Sequence, residues 1–256
     1  MDVLNVSAIP AYSDNYIWLI RTGGTACAVV DPGDAAPVLQ VLDREGLDLR
    51  YILLTHHHPD HIGGMAAVKS HSGARVFGPM DTRVRGIDQA VSEGDVVCLP
   101  ALGLEFRVYE VPGHTLTHIV FTGHGCLFCG DTLFSVGCGR LFEGSAEQMQ
   151  NSLDKLASLP ADTRIYCGHE YTLANCRFAL EVEPDNEELR RKTVHVTALR
   201  AASEITLPGL LGEELQVNPF LRSRTESVVE AAQKRDPSAA PGASTLGVIR
   251  QWKDSW

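Results

Sequence analysis

A four-residue apolar run, Tyr51-Ile52-Leu53-Leu54, passes directly into Thr55-His56-His57-His58-Pro59-Asp60-His61, and this junction constrains the fold more than any other stretch. The run reads as a short buried strand. The segment after it carries four metal-ligand residue types within six positions, in the pattern His-x-His-x-Asp-His. His56 and His58 are two apart, so in an extended chain they face the same side. Asp60 and His61 are adjacent and follow a proline, so they open the next helix and send their side chains in different directions. One ion does not easily take all four from so short a loop, and two ions taking two each fit better. A single histidine is most often a satisfied core or surface side chain. Four candidate ligands where a loop leaves a strand, with Gly63-Gly64 just beyond to allow close backbone approach, call for a metal. His57 is read as a non-ligand.

Three more candidates stand at strand ends or turns: His114 in Pro112-Gly113-His114-Thr115, Asp131 in Cys129-Gly130-Asp131-Thr132, and His169 in Cys167-Gly168-His169-Glu170. One catalytic zinc takes three protein ligands and keeps an open position. Seven divides into three per ion plus one bridging carboxylate, and an aspartate can bridge. Asp31, in the turn Asp31-Pro32-Gly33, is either a simple turn residue or a partner for the second nitrogen of a ligand histidine. His118 either supports the metal shell or is structural. His71, His124 and His195 are expected at the surface.

The rest of the chain alternates short strands and helices. Strands are expected at Val3–Ile9, Tyr16–Ile20, Ala26–Val30, Arg75–Phe77 and Arg164–Cys167. Gly103–Val111 forms one strand or two, and Ile119–Thr122 with Cys126–Cys129 makes a hairpin around Gly123-His124-Gly125. Helical periodicity covers the region of Val38–Leu42, residues 61–71 and Ala146–Ser158. Beyond about residue 170 the pattern changes to helices at Tyr171–Leu180, Asn186–Ile205 and Ser223–Lys234, with no strand and an exposed Pro/Gly-rich loop at Asp236–Ser244. The expected organisation is an α/β domain over 1–170 and a mainly helical domain over 171–256.

Composition excludes several function classes. With 22 basic and 32 acidic residues the net charge is −10, which argues against broad nucleic-acid or anionic-membrane binding. No apolar run reaches transmembrane length, and the N-terminus lacks a basic, then apolar, leader pattern. The seven cysteines are scattered and odd in number, a poor disulfide framework that suits a reducing cytoplasm. Cys126-x-x-Cys129 lies in an apolar run and reads as buried core thiols rather than a redox pair. No Gly-rich phosphate loop occurs.

On the ordered set His56, His58, Asp60, His61, His114, Asp131 and His169, the chain resembles the metallo-β-lactamase superfamily. Within it the sequence is most similar to the hydroxyacylglutathione hydrolases (glyoxalase II). The matching stretches are Ser13-Asp14-Asn15-Tyr16, Gly137–Gly144, Gly168–Thr172, Val182–Asn186, Asn218–Arg222 and Arg250-x-x-Lys253-Asp254. The resemblance implies a four-layer αββα sandwich followed by a smaller helical domain. It places His56, His58 and His114 on one metal and Asp60, His61 and His169 on a second, with Asp131 bridging and Asp60 and Asp131 catalytic. It puts a glutathione pocket on Arg140, Leu141, Phe142, His169, Tyr171, Arg250 and Lys253. Phe142, Thr117 and Gly209 depart from the family pattern, which can have tyrosine, a small residue and serine there.

The implied reaction is hydrolysis of S-D-lactoylglutathione to glutathione and D-lactate by a hydroxide held between two divalent ions, the second step of methylglyoxal detoxification. Zinc is the expected metal, with iron or manganese also suited. The expected partner is the small-molecule thioester alone, with no nucleic acid and no membrane, in a cytoplasmic monomer. The rival readings are another superfamily enzyme, such as a persulfide dioxygenase or a lactonase, a non-catalytic metal-binding scaffold, and a cysteine-dependent enzyme.

Overall fold

A computed structural model of the protein describes residues 4–256. Val3, where the first strand is expected to begin, lies outside the described residues with Met1 and Asp2. The chain forms two compact units.

The first unit comprises the chain up to Glu110 together with Thr117–Gly130. Its first sheet has the order β1 (Asn5–Ala11), β2 (Asn15–Arg21), β3 (Ala26–Val30), β4 (Asp48–Leu53), β5 (Arg75–Pro79), β6 (Gln89–Val91). The first three strands pair antiparallel, and β3 to β6 pair parallel. Helix α1 (Ala35–Glu45) crosses from β3 to β4, capped by the Asp34 carboxylate on the Ala36 N–H and ended by Gly46 at φ 61°. Two-residue spacing puts Ile17 and Leu19, Cys27 and Val29, and Ile52 and Leu54 into one core, which Val38 and Leu42 of α1 share. After β4 come α2 (Pro59–Ile62) and α3 (Met65–Ser72). A second, antiparallel sheet runs β7 (Val96–Leu99), β8 (Leu104–Glu110), β9 (Ile119–Gly123), β10 (Cys126–Gly130).

The second unit holds Val111–Leu116 and Asp131–Trp256. It contains the small hairpin β11 (Leu133–Phe134) and β12 (Gly137–Cys138), then α4 (Ala146–Ala157), whose N-terminus carries a reciprocal Ser145–Gln148 cap. Strand β13 (Arg164–Cys167) pairs with β14 (Gly209–Leu210). Helices α5 (Thr172–Val182), α6 (Glu187–Ala201), α7 (Leu211–Val217), α8 (Glu226–Gln233) and α9 (Ala243–Ser255) complete it. Val136, Cys176, Ala179, Leu189, Val196 and Val217 form its apolar core.

The mixed sheets with interleaved helices, followed by a helix-rich stretch, bear out the expected α/β class. Two local readings change, and one that had two alternatives resolves to a single strand. Residues 61–71 are two helices rather than one, broken at Gly63-Gly64. Gly103–Val111 contains one strand, β8. A strand, β14, does occur after residue 170, because Gly209-Leu210 finds a partner in β13 that local sequence does not show. Helix α9 carries Arg250 and Lys253, yet its weak helix formers, Gly247 among them, hide it from periodicity. Two of the family departures have plain local settings. The Thr117 hydroxyl donates to the Asp81 carboxylate. A Cβ on Gly209 would stand 3.5 Å from Glu214 Oε1 and 3.7 Å from Ser135 Oγ, ordinary contact distances. No helix among the described residues is long and apolar enough to cross a membrane.

Candidate metal centre

In the first unit the segment that leaves β4 carries a set of donors, and the end of β3 orients them. Asp31 closes β3 in the left-handed region at φ 52°, which aspartate tolerates better than most residues. Its Oδ1 accepts the Thr55 N–H at 2.8 Å, and its Oδ2 accepts the Thr55 hydroxyl at 2.6 Å and faces His61 Nδ1 at 3.0 Å. With both oxygens occupied, Asp31 orients rather than ligates. A proton on His61 Nδ1 answers that carboxylate and leaves the Nε2 lone pair outward. His56 follows the same logic: Nδ1 meets Thr55 Oγ1 at 3.0 Å, and that hydroxyl already donates to Asp31. His56 Nε2 then faces His58 Nδ1 at 3.1 Å. His61 Nε2 lies 3.5 Å from Asp60 Oδ2, and the Asn15 amide donates to the same Asp60 oxygen at 3.0 Å.

Two packing features hold this loop. Gly33 is in close approach to α2, since a Cβ there would stand 1.7 Å from the Asp60 carbonyl oxygen. Buried His118 stacks on His56 with ring centroids 4.6 Å apart, which gives it a packing role beneath a donor. His57 turns to Asp81, with Nδ1 3.4 Å from Oδ2. His71, His124 and His195 are exposed.

In the second unit Asp131 sits between two imidazoles. Its Oδ2 is 3.5 Å from His114 Nε2 and 3.3 Å from His169 Nε2. His114 Nδ1 donates to the Arg140 carbonyl at 2.9 Å, which leaves its Nε2 lone pair toward Asp131. Gly139 makes this possible: a Cβ would stand 2.0 Å from the Asp131 carbonyl and 2.9 Å from His114 Nδ1. Neutral imidazoles and carboxylates are the donors that divalent ions prefer. Separations of 3.1–3.5 Å between donors match about 3.3 Å, the edge of a tetrahedron with metal–nitrogen bonds of 2.0–2.1 Å. Each set therefore fits a divalent metal chemically.

A pocket of about 410 Å³ in the second unit joins His114 and Asp131 to Phe134, Arg140, Phe142, Tyr171, Asn175, Arg250 and Lys253. Five of the expected thiol-substrate residues thus line one cavity. Leu141 and His169 are not part of its lining, although His169 stacks on Tyr171 at 4.7 Å with the rings nearly parallel. Arg250 is buried; its Nη1 donates to the Cys138 carbonyl at 2.8 Å and its Nη2 to Asp254 at 3.0 Å. Arg140 is exposed and reaches the same Asp254 carboxylate at 3.3 Å. The Lys253 ammonium donates to Asn175 Oδ1. Burial, reinforced by neighbouring Arg250, pushes the Lys253 ammonium down to about 7.

Sequence reasoning assigned no role to Asn15, Thr55 or Asn175. Asn175 carried a faint signal as an amide on the largely apolar buried face of α5. Burial pushes Cys27 and Cys167 up to about 12 and Cys176 up to about 11, which makes these three thiols poor nucleophiles. Cys126 and Cys129 are buried thiols with no disulfide between them, as expected.

Comparison with known proteins finds relatives along the whole chain. Residues 13–169 match the family model of the metallo-beta-lactamase superfamily, and residues 170–256 match that of the hydroxyacylglutathione hydrolase C-terminus. The chain is 49% identical over 257 residues to the hydroxyacylglutathione hydrolase of Pseudomonas fluorescens, covering 99% of this chain and 100% of that one. It is 50% identical over 257 residues to that of Photobacterium profundum, with the same coverage. Among solved structures, ETHE1 from Myxococcus xanthus is similar at a TM-score of 0.66 and 23% identity, covering 99% of each chain. The B3 metallo-β-lactamase BLEG-1 is similar at a TM-score of 0.64 and 22% identity, covering 86% of this chain and 99% of that one. At such identities these two structures speak to the fold alone.

Proposed function

The chain belongs to the metallo-β-lactamase superfamily and, within it, to the hydroxyacylglutathione hydrolases, and from that premise we infer that it hydrolyses the thioester of S-(2-hydroxyacyl)glutathione, chiefly S-D-lactoylglutathione, to glutathione and the 2-hydroxy acid. The observation that carries this reading is the second-unit pocket, where two metal-donor residues, His114 and Asp131, share one cavity with Arg140, Arg250 and Lys253. A metal-dependent reaction and an anionic thiol substrate both need that combination. Relatives near half identical over their whole length favour it over a dioxygenase, a lactonase or a scaffold.

The proposal takes His56, His58, Asp60, His61, His114, Asp131 and His169 as ligands of two divalent ions, with zinc as the metal. Bound ions of this kind polarise a carbonyl and bring the pKa of water from about 15.7 toward neutrality. The chain's own groups do the rest. Asp31, Thr55 and the Arg140 carbonyl fix which imidazole nitrogens carry protons. Asp60, steadied by Asn15, orients the attacking water. Phe134, Phe142 and Tyr171 wall the acyl-thiol end of the pocket. Glutathione leaves as a thiol of pKa about 8.5, so no dedicated general acid is needed. The cations of Arg140 and Lys253 take its carboxylates. The segment 171–256 acts as the substrate-binding domain in this reading, since it supplies Tyr171, Arg250 and Lys253.

The test is thiol release from S-D-lactoylglutathione by the metal-loaded protein, with and without a chelator. Chelator-sensitive turnover and about two ions per chain by elemental analysis are expected. No turnover by the metal-loaded protein overturns the reading.

Lys253 gives a pH signature. A lysine titrating near 7 is cationic below that pH and neutral above it. KM for the anionic thioester is therefore expected to rise from about pH 6 to about pH 8, and Lys253→Met should raise KM several-fold at the lower pH and flatten the trend. Steady-state kinetics across that range decide this; an equally steep rise in the variant removes Lys253 as its source. Arg250 is a poorer probe, because its replacement also strips the Cys138 carbonyl of its partner.

A further inference from the structure

The stretch Asn218–Arg222 marks the family resemblance, yet no step above uses it, and Glu214 one turn earlier is wholly buried. The Glu214 carboxylate accepts the Ser135 hydroxyl at 2.7 Å, the Val136 N–H at 2.6 Å and the Asn218 amide at 3.2 Å, and it pairs with buried Lys192 at 3.0 Å. Four donors satisfy a group that would be costly to bury alone. Burial by itself pushes the Lys192 ammonium down, but the Glu214 charge and the Glu213 contact more than offset it, so Lys192 stays cationic.

All of this converges on the turn between β11 and β12. Asn218 also donates to the carbonyls of Phe134 and Gly137, Asn175 to that of Ser135, and Arg250 to that of Cys138. Inside that cage Val136 stands at φ 57°, a left-handed conformation unfavourable for a β-branched residue, while its side chain joins the unit's apolar core. A turn in that state persists only where its surroundings hold it. Its two arms carry Phe134, which packs on Tyr171 at 5.3 Å, and Cys138, which leads to Arg140; all four line the substrate pocket.

We propose that Glu214 is a positioning residue for the thioester pocket: paired with Lys192, it holds the Ser135-Val136-Gly137 turn in its left-handed form and so sets Phe134 and the Cys138–Arg140 segment. The kinetic part rests on the thioesterase reading above; the conformational part does not.

The test compares the metal-loaded wild type with Glu214→Gln, Glu214→Gln/Val136→Gly and the charge-balanced Glu214→Gln/Lys192→Met. Steady-state kinetics use S-D-lactoylglutathione, and hydrogen exchange of the Val136 amide uses no substrate. Glu214→Gln is expected to raise KM about tenfold with kcat changed less than about threefold, and to speed Val136 exchange about tenfold or more. Adding Val136→Gly should bring KM back to within about threefold of wild type, because glycine enters the left-handed region freely. A merely stabilising glutamate would lower the melting temperature without moving KM, and the cavity left by Val136→Gly would only worsen that. Wild-type KM in folded Glu214→Gln overturns the proposal, as does failure of Val136→Gly to lower the raised KM. Should Glu214→Gln not fold, the Lys192→Met pair carries the same measurements. A wild type without turnover defeats the thioesterase reading only; the clamp is then decided by Val136 exchange, which overturns it if unchanged in the variant.

Discussion

Asp131→Asn is expected to lower kcat by about 10³-fold and to cut the metal content from about two ions per chain to about one or fewer. The reason is the position of one oxygen. Asp131 Oδ2 stands 3.5 Å from His114 Nε2 and 3.3 Å from His169 Nε2. Only an anionic carboxylate can serve donor sets on both sides while offsetting cationic charge. An asparagine keeps the size and loses that charge, and its NH₂ turns one lone-pair site into a donor. Elemental analysis with steady-state kinetics checks both halves. Two ions per chain and a kcat within tenfold of wild type would remove Asp131 from the centre.

Asp31→Asn should cost stability and metal affinity together. Asp31 accepts the Thr55 amide and hydroxyl and faces His61 Nδ1, all in a buried setting. Hydrogen bonds to a charged group contribute about 1.5–3 kcal/mol each, and the asparagine amide nitrogen cannot accept. A loss of about 3 kcal/mol is expected, or on the order of 10 °C in melting temperature. Weakening the group that orients a ligand histidine typically costs 10–100-fold in metal affinity, and the same is expected for His61. Backbone strain does not confuse the result, since asparagine accepts the φ of 52° as readily as aspartate. Calorimetric melting and competitive metal titration measure the two effects. A variant with wild-type metal affinity would show that Asp31 serves the turn alone.

The donors were legible in the sequence because each lies in a segment that leaves a strand, and strand ends are marked by local patterns. Tyr51–Leu54 running into His56-x-His58-x-Asp60-His61 needs no long-range information to be noticed. The substrate side was legible only through family resemblance. Arg250 and Lys253 sit on α9, a helix with weak propensity that follows a Pro/Gly-rich stretch, and periodicity did not reveal it. Once folded, their settings differ sharply: Arg250 is committed to the Cys138 carbonyl, while Lys253 keeps an ammonium in the pocket.

Which residue types could bind metal, and that they stand where strands give way to loops, follows from local pattern alone, because side-chain alternation and turn chemistry act over a few residues. Which imidazole nitrogens face outward, which oxygens of Asp31 are occupied, and the grip of Glu214 on a strained turn come from long-range folding. Those outcomes depend on hydrogen bonds between residues 24, 78 and 112 positions apart, as in Asp31 to Thr55, Val136 to Glu214 and Cys138 to Arg250. Such partners are set by burial, which leaves each polar group only the neighbours the fold brings to it.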